Sequence, residues 1–541
     1  MRRRDFLKLA GGTAVGAAVL GSCSTNQGSG GSSTTPHPTA SSPPTSTSTS
    51  TTAPPTTAPT GADWKALSRS LQGRLVRPSS PNYAVDVESY NPVFDGAHPA
   101  GVAYCASAGD VASAIRFARR HEVELSVRSG GHCYGGWSTG PGLVIDVSPM
   151  NQVSLDTAKG LATVGSGTRL IDLYAALAPH NVIVPGGSCP SVGIAGLTLG
   201  GGLGVLGRKL GLTCDSLESA DVVLASGETL TCDERHHSDL FWALRGGGAG
   251  SFGVVTSFTF VAHPLPPSGS LGLLTLVWPW SAAASVASAW QSWAPEAPDE
   301  LWSNCLLVAS QSTPSGEAAA ARVTGVYVGA LSNLKVLVDA LLSEVGTRPF
   351  TSFVGSAGYL DTMQIEGGCE GDSIAECHLP SQNPAGKLAR GPFVAKSNIV
   401  ESKLSRSGID TLLAAVEQRQ TSPVLSGGGV VLDAAGGAIN RVPPAATAYV
   451  HRSALATLQY SASWTVNSPP SIVEANREWI REAWQAMRPH VSSGAYSNYA
   501  DPDLVQWQQA YYGSNFARLT RVKRAYDPEN VFRFAQSIPP A

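Results

Sequence analysis

Between residues 108 and 260 short apolar runs alternate with glycine-rich breaks, and two periods set the order of elements. Asp110 to Arg120 places Val111, Ala114, Ile115 and Ala118 at helical spacing, which gives one helix face to a core. Val123 to Val127, Leu143 to Val147 and Leu161 to Val164 are apolar runs of strand length, and Arg169 to Pro179 returns to the helical period. Val222 to Thr231 predicts a hairpin turning at Ser226-Gly227. A short helix at Asp239 to Arg245 and a strand at Val254 to Phe260 follow, and Pro264-Leu265-Pro266-Pro267 punctuates the end of this half. Further on, Leu301 to Ser310 and Arg322 to Ala330 predict strands, while Leu334 to Val345, Asp410 to Arg419 and Ser471 to Arg488 predict helices. The pattern is mixed α and β.

The first 62 residues carry no such pattern. Arg3-Arg4-Asp5-Phe6-Leu7-Lys8 leads into the apolar run Leu9 to Leu20, shorter than the ~20 residues of a spanning helix. With Leu20-Gly21-Ser22-Cys23 behind it, residues 1–23 read as a twin-arginine export signal of lipoprotein type. That predicts an extracellular or cell-surface protein, with lipid on Cys23 as its route to a membrane. Residues 24–62 are almost wholly Ser, Thr, Pro, Gly and Ala and read as a disordered stalk. The net charge of −3 comes without a basic cluster, which excludes a nucleic-acid partner. A hydrophobic fraction of 43% is ample for a large core, and the roughly 480 residues after the stalk suit two domains. Cys369 and Cys377, eight positions apart, fit either a disulfide or two thiols kept reduced during cytoplasmic folding; Cys105, Cys133, Cys214, Cys232 and Cys305 read as core or loop residues.

Candidate chemistry gathers in two glycine loops. One runs Ser126-Val127-Arg128-Ser129-Gly130-Gly131-His132-Cys133-Tyr134-Gly135-Gly136, the other Gly187-Ser188-Cys189-Pro190-Ser191-Val192-Gly193-Ile194-Ala195-Gly196, with Gly200-Gly201-Gly202-Leu203-Gly204 after it. Glycines without a Cβ let backbone N–H groups approach a bulky anion. One histidine and one cysteine could each bond to a single flat ligand between the loops, as a flavin would require. Three rival readings are weaker. Gly136-Trp137-Ser138-Thr139-Gly140 fits a GxSxG nucleophile elbow, but Pro141-Gly142 and a strand stand where the helix should be. Gly202 to Gly207 fits GxGxxG, yet Asp221 opens a strand instead of closing one. Zinc on His132, Cys133 and Cys189 lacks any CxxC or HxxxH spacing, so no metal site is expected.

RSGGH, GSCPSVGIAGLTLGGGLG, RGGGAGSFGVVTSF at 245–258 and YDPENVFRF at 526–534, in that order, resemble the berberine-bridge-enzyme-like family of FAD-linked oxidases. The resemblance implies an α+β fold: a PCMH-type FAD-binding domain of two subdomains over 63–266, an antiparallel-sheet substrate domain backed by helices over 267–495, and a C-terminal segment, 496–541, returning to the FAD domain. It implies FAD held bicovalently, His132 on the flavin 8α-methyl and Cys189 on C6. Further FAD contacts carried over are Arg128, Ser129, Gly130, Gly131, Ser138, Val192, Gly193, Gly196, Gly200, Gly204, Val255 and Asn530. Tyr496-Ser497-Asn498-Tyr499 corresponds to the family's YxNY element, which makes Tyr499 the expected base and Tyr496 the second choice; Tyr134 is a substrate-side tyrosine and Gln459 a substrate contact. A phenol ionises near pH 10, so a tyrosine base needs help, for which Lys396 or Arg452 is a candidate.

The activity implied is an FAD-dependent oxidase: Tyr499 takes a hydroxyl proton, the neighbouring C–H gives hydride to flavin N5, and dioxygen leaves as hydrogen peroxide. An exported, stalked enzyme with an open site suits a sugar or oligosaccharide alcohol. Val192, three residues after Cys189, favours oxygen access by family habit, whereas Leu203 replaces a tyrosine found in plant relatives and shortens the proton relay. An oxidative tailoring or cyclising enzyme of a secondary metabolite, and a non-catalytic exported binding protein, are the alternatives. A monomer is expected.

Overall fold

The structure, a computed structural model, describes residues 58–309, 320–422 and 427–541. The export signal, Cys23 and all but the last residues of the 24–62 stretch therefore lie outside the described residues. The described chain opens with the helix Gly61–Ser70, whose N-terminus is closed by a reciprocal box between Thr60 and Asp63.

The first sheet has four strands in the order Arg74–Val76, Gly101–Tyr104, Leu143–Asp146, Leu125–Arg128. Its first pair is antiparallel and its other two pairs are parallel. The helix Ala108–Arg120 covers it, capped by Ser107, and buries Val111, Ala114, Ile115 and Ala118 as their spacing requires. Asp110 on that helix is buried, and its carboxylate accepts from the backbone N–H groups of Gln72, Gly73 and Ala106 at 2.9–3.0 Å. Ordering around one satisfied acid thus ties the helix to the strand ends.

The second sheet is antiparallel throughout, in the order Val153–Asp156, Leu161–Gly165, Val254–Val261, Leu217–Val223, Thr229–Asp233. The expected hairpin is its last pair, with Gly227 at φ +84° in the turn. The helix Leu170–Leu177 packs on this sheet in one core with Val164, Val222 and Phe258. That core also takes Leu271, Leu273 and Val326 from the third sheet, so the two domains share apolar residues.

The third sheet has seven strands, all antiparallel, in the order Thr351–Gly358, Ser270–Pro279, Ala320–Tyr327, Leu301–Val308, Gly428–Ala434, Ala456–Ser463, Phe393–Val400. Helices Ala283–Glu296, Leu331–Val345, Arg406–Thr421 and Pro470–Met487 back one face around Trp278, Trp290 and Trp479. Alternate residues point the other way. Thr324, Asn304, Asp433 and Thr457 stand directly opposite one another across four adjacent strands, and Val431, Gln459 and Ser397 form the next such row. A sheet whose helix-backed face is apolar and whose other face carries such polar residues is a roof, not a second core. The α+β class with a helix-backed antiparallel sheet is the architecture found. Cys369 and Cys377 are joined in a disulfide that closes the loop after the helix Tyr359–Glu366.

The C-terminal segment fastens the cores of the first and second sheets together. Phe532 joins the first-sheet core, and Leu519 and Val522 on the helix Phe516–Tyr526 join the second. Between them, Lys523 Nζ donates to Asp527, to the Ser251 carbonyl and to the Phe532 carbonyl at 2.6–2.7 Å. Asp527 accepts in turn from the N–H groups of Val531 and Phe532. Both side chains are fully buried, and burial pulls the lysine's ionisation below its ordinary value. Lys523→Met leaves a buried carboxylate without its cation and two carbonyls without a donor. The expected loss is about 3–5 kcal/mol of stability, read by denaturant unfolding of the holoprotein; a change under 1 kcal/mol contradicts the assignment.

Candidate active site

The strand Leu125–Arg128 ends with a buried guanidinium. Arg128 pairs with Asp146 at the end of the neighbouring parallel strand and donates to the Asp86 carbonyl. That anchor fixes where Ser129, Gly130 and Gly131 turn, the last at φ +73°. The second glycine loop is stitched to the start of the helix Leu170–Leu177: Leu170 and Ile171 N–H donate to the carbonyls of Val192 and Pro190, and Ile194 N–H to that of Thr168. Arg169 then reaches across, donating to the Ser129 carbonyl at 2.7 Å. The two loops touch backbone to backbone at Gly130 and Gly193. His132 and Cys189 consequently line one cavity, with Gly196 facing open space.

His132 is stacked on Tyr90 at 3.8 Å between ring centroids, and its Nε2 lies 3.0 Å from Ser191 Oγ. Burial and the Arg169 guanidinium hold its pKa down to about 3, so the imidazole is neutral.

At the roof end of the cavity stand four aromatic residues. Tyr499 stacks on Tyr134 at 5.5 Å, and Tyr496 meets Tyr499 edge-on at 5.0 Å. Tyr134 packs against Phe393 and its hydroxyl accepts from Gln459 Nε2 at 3.4 Å. Tyr496 Oη accepts from Gly202 N–H, Leu203 N–H and Asn498 Nδ2 at 3.0–3.1 Å, so this phenol holds the glycine turn in place. Burial still pushes its pKa up to about 12. Tyr499 is raised well above its ordinary value by burial and by the nearby Asp433 carboxyl. Asp433 and Glu366 are themselves lifted to about 7, chiefly by burial, and Asp433 acts on Glu366.

Neither cation proposed as a helper faces Tyr499. Lys396 Nζ is 2.7 Å from Asp501, and Arg452 is paired with Asp215. Asp501 and Asp215 hold these cations, and the causes of the Tyr499 shift are burial, Asp433 and the neighbouring phenols, with neither cation among them.

Comparison with known proteins gives this arrangement its family. An FAD binding domain model matches residues 99–233, and a model for berberine and berberine-like proteins matches 495–539. The chain is 33% identical to the uncharacterized FAD-linked oxidoreductase YgaK of Bacillus subtilis over 87% of this chain and 97% of that one. It is 30% identical to berberine bridge enzyme-like D-1 of Nicotiana tabacum over 79% and 80%. The chain belongs to the berberine bridge enzyme-like FAD-linked oxidoreductases. Among solved structures, Physcomitrella patens BBE-like 1 superposes with a TM-score of 0.79 at 29% identity, covering 88% of this chain and 99% of that chain. A chitooligosaccharide oxidase and the xylooligosaccharide oxidase of Myceliophthora thermophila each superpose at 0.77 with 26% identity, covering 89% of this chain and all of theirs.

For an FAD enzyme, the cavity has suitable walls: backbone at Gly130, Gly131, Gly193, Gly196, Gly248 and Gly250, a neutral imidazole, and phenols at one end. Ser129, Ser138, Val192 and Val255 also line it, as do all three tyrosines. Four expected FAD contacts lie outside that lining. Arg128 anchors its strand. A Cβ on Gly200 would stand 2.1 Å from Asn498 Oδ1, and one on Gly204 1.8 Å from the Gly186 carbonyl oxygen, so both glycines serve close packing. Asn530 sits at φ 52° outside the lining, its Oδ1 buried without a partner among the described residues. Sequence reasoning missed Asp433 and Glu366, which have no motif, and Ser191, which lay unremarked inside the quoted loop. It also missed Trp137, which lines the cavity stacked on Phe534.

Gly193→Ala tests the loop contact directly. Its φ of −81° admits alanine, but the new Cβ would lie 2.1 Å from Ser129 Oγ and 2.3 Å from the Gly130 nitrogen. The expected outcome is a loss of roughly 3 kcal/mol or more in thermal unfolding and a colourless product. A yellow, equally stable variant would show that the loops have slack.

Proposed function

We propose that this chain is an exported oxidase that converts a carbinol group of a sugar or oligosaccharide to a carbonyl, with dioxygen as final acceptor and hydrogen peroxide as by-product. The observation that carries it is the stack of Tyr499 on Tyr134, within electrostatic reach of Asp433, in the cavity that His132 and Cys189 also line. FAD, attached at His132 and Cys189, supplies the two-electron acceptor. Tyr134 and Tyr499 present two phenols to the substrate, and Gln459 orients the first of them.

The proton needs a destination. A phenol raised well above 10 stays protonated at neutral pH and cannot act as a base unaided. A nearby carboxylate opposes phenolate formation and offers the proton a place to go. In this reading Tyr499 accepts the hydroxyl proton as it passes its own to Asp433, which is ionised above about pH 7. The Asp433 charge in turn helps to hold the Glu366 carboxyl protonated. Leu203 adds no hydroxyl here; it packs with Tyr449, Tyr496 and Tyr499.

A sugar is favoured by the polar face of the third sheet, where Gln459 reaches the cavity-lining Tyr134 and Asn304, Thr324, Asp433, Thr457 and Ser397 share the same face in register. Two structural neighbours that oxidise chito- and xylo-oligosaccharides support the same class. Val192 at the cavity wall is read as leaving dioxygen a path. Among the described residues no helix is long and apolar enough to cross a membrane; membrane attachment in this reading is through lipid on Cys23.

Peroxide release on a panel of mono- and oligosaccharides is the test, and turnover of a polyketide or alkaloid with no sugar oxidised would defeat the reading. With the sugar found, Tyr499→Phe is expected to lower kcat by about 10²–10⁴-fold. Turnover should climb as pH rises through about 7, because the accepting carboxylate forms there. Asp433→Asn should abolish that limb; an unchanged profile assigns the proton elsewhere.

A further inference from the structure

We propose that Ser191 is the positioning residue for flavin attachment at His132, holding the imidazole as its Nε2–H tautomer so that the Nδ1 lone pair is the one presented to the cofactor. The inference rests on the covalent-FAD reading above and concerns how that bond comes to form at one nitrogen and not the other.

Nε2 of His132 is 3.0 Å from Ser191 Oγ, a hydroxyl that can accept from an Nε2–H. With Ser191 Oγ as the acceptor, the single N–H of the neutral ring lies at Nε2 and the lone pair at Nδ1. The ring cannot readily turn over. Tyr90 covers one face at 3.8 Å and 14° from parallel, and Tyr90 is itself buried, its N–H donating to the Gly131 carbonyl. The Arg169 guanidinium nearby disfavours a second proton.

Ser191 is held equally firmly. It is fully buried, and its carbonyl accepts from Gln382 Nε2 at 3.1 Å. The same amide reaches the Gly130 carbonyl at 3.4 Å, bridging the two glycine loops. The serine is thus two residues from Cys189 in sequence and one hydrogen bond from His132 in space.

The attachment balances as follows. Nδ1 replaces one hydrogen of the 8α-methyl group: one C–H bond breaks and one C–N bond forms. The methyl proton and the Nε2 proton leave, and the electron pair remains on the flavin. Dioxygen then removes the pair with both protons as hydrogen peroxide. Ser191 Oγ stands where the Nε2 proton departs, and a hydroxyl that first accepts can afterwards donate to the bare Nε2.

The experiment uses the full chain with Cys189→Ala, so that acid-stable flavin reports on His132 alone. Ser191→Thr keeps a hydroxyl, and Ser191→Val keeps the same shape without one. The rate of acid-stable flavin incorporation in the Thr variant should exceed that in the Val variant by about tenfold, the scale of one lost hydrogen bond. The Val variant should still carry yellow, acid-extractable FAD, which also shows that it folds. Equal rates for Thr and Val overturn the proposal. If Cys189→Ala alone shows no acid-stable flavin while His132→Ala does, attachment at His132 itself is wrong, a failure distinct from a failure of Ser191.

Discussion

Two stretches of backbone meet in this protein with no room for a side chain between them. A Cβ on Gly130 would stand 2.1 Å from the Gly193 nitrogen, and one on Gly193 would stand 2.1 Å from Ser129 Oγ. Contact at that distance is available only to glycine. It follows that the position of His132 and the position of Cys189 are one constraint, not two. The loops are each secured from behind, the first by Arg128 on Asp146 and the second by the N-terminal residues of the helix Leu170–Leu177. A flat cofactor bound at both residues would find its attachment points already set before it arrives, which is the condition for efficient bond formation.

The part of the chain that builds the third sheet contributes to the same constraint from a distance in sequence. The loop closed by Cys369–Cys377 carries on into His378, paired with Asp172, and Gln382, which bridges Gly130 and Ser191. The helix Tyr359–Glu366 ends at Gly367, whose missing Cβ leaves room for Pro190 and the Ser188 carbonyl. On the far side, the Lys523–Asp527 knot draws the C-terminal segment onto the cores of the first and second sheets, and Tyr496 holds the Gly202–Leu203 turn. Roof, loops and tail therefore converge on one cavity from three separate parts of the chain.

Much of this was legible in the residues. The helix at Ala108–Arg120, the hairpin turning at Ser226-Gly227 and the strand Val254–Val261 follow from period and turn chemistry, and each matches its expected range within a few residues. The glycine loops, His132, Cys189 and the tyrosine pair were found because their residue types stand in a recognisable order. What escaped notice was carried by register. Asp433 acquires its surroundings from Asn304 and Thr457 on flanking strands, partners that no local pattern reveals. Lys396 and Arg452 looked like free cations in the sequence, and only the fold brings Asp501 and Asp215 to them. Gly200 and Gly204 read as cofactor glycines for the same reason: the atoms that crowd them, Asn498 Oδ1 and the Gly186 carbonyl oxygen, come from other segments.

The most direct test of the account is a mass map of proteolytic peptides from the yellow protein as purified. It predicts flavin on two peptides, one containing His132 and one containing Cys189, with none left in the acid supernatant. Colourless protein from cells supplied with riboflavin, or flavin that acid extracts completely, would contradict it.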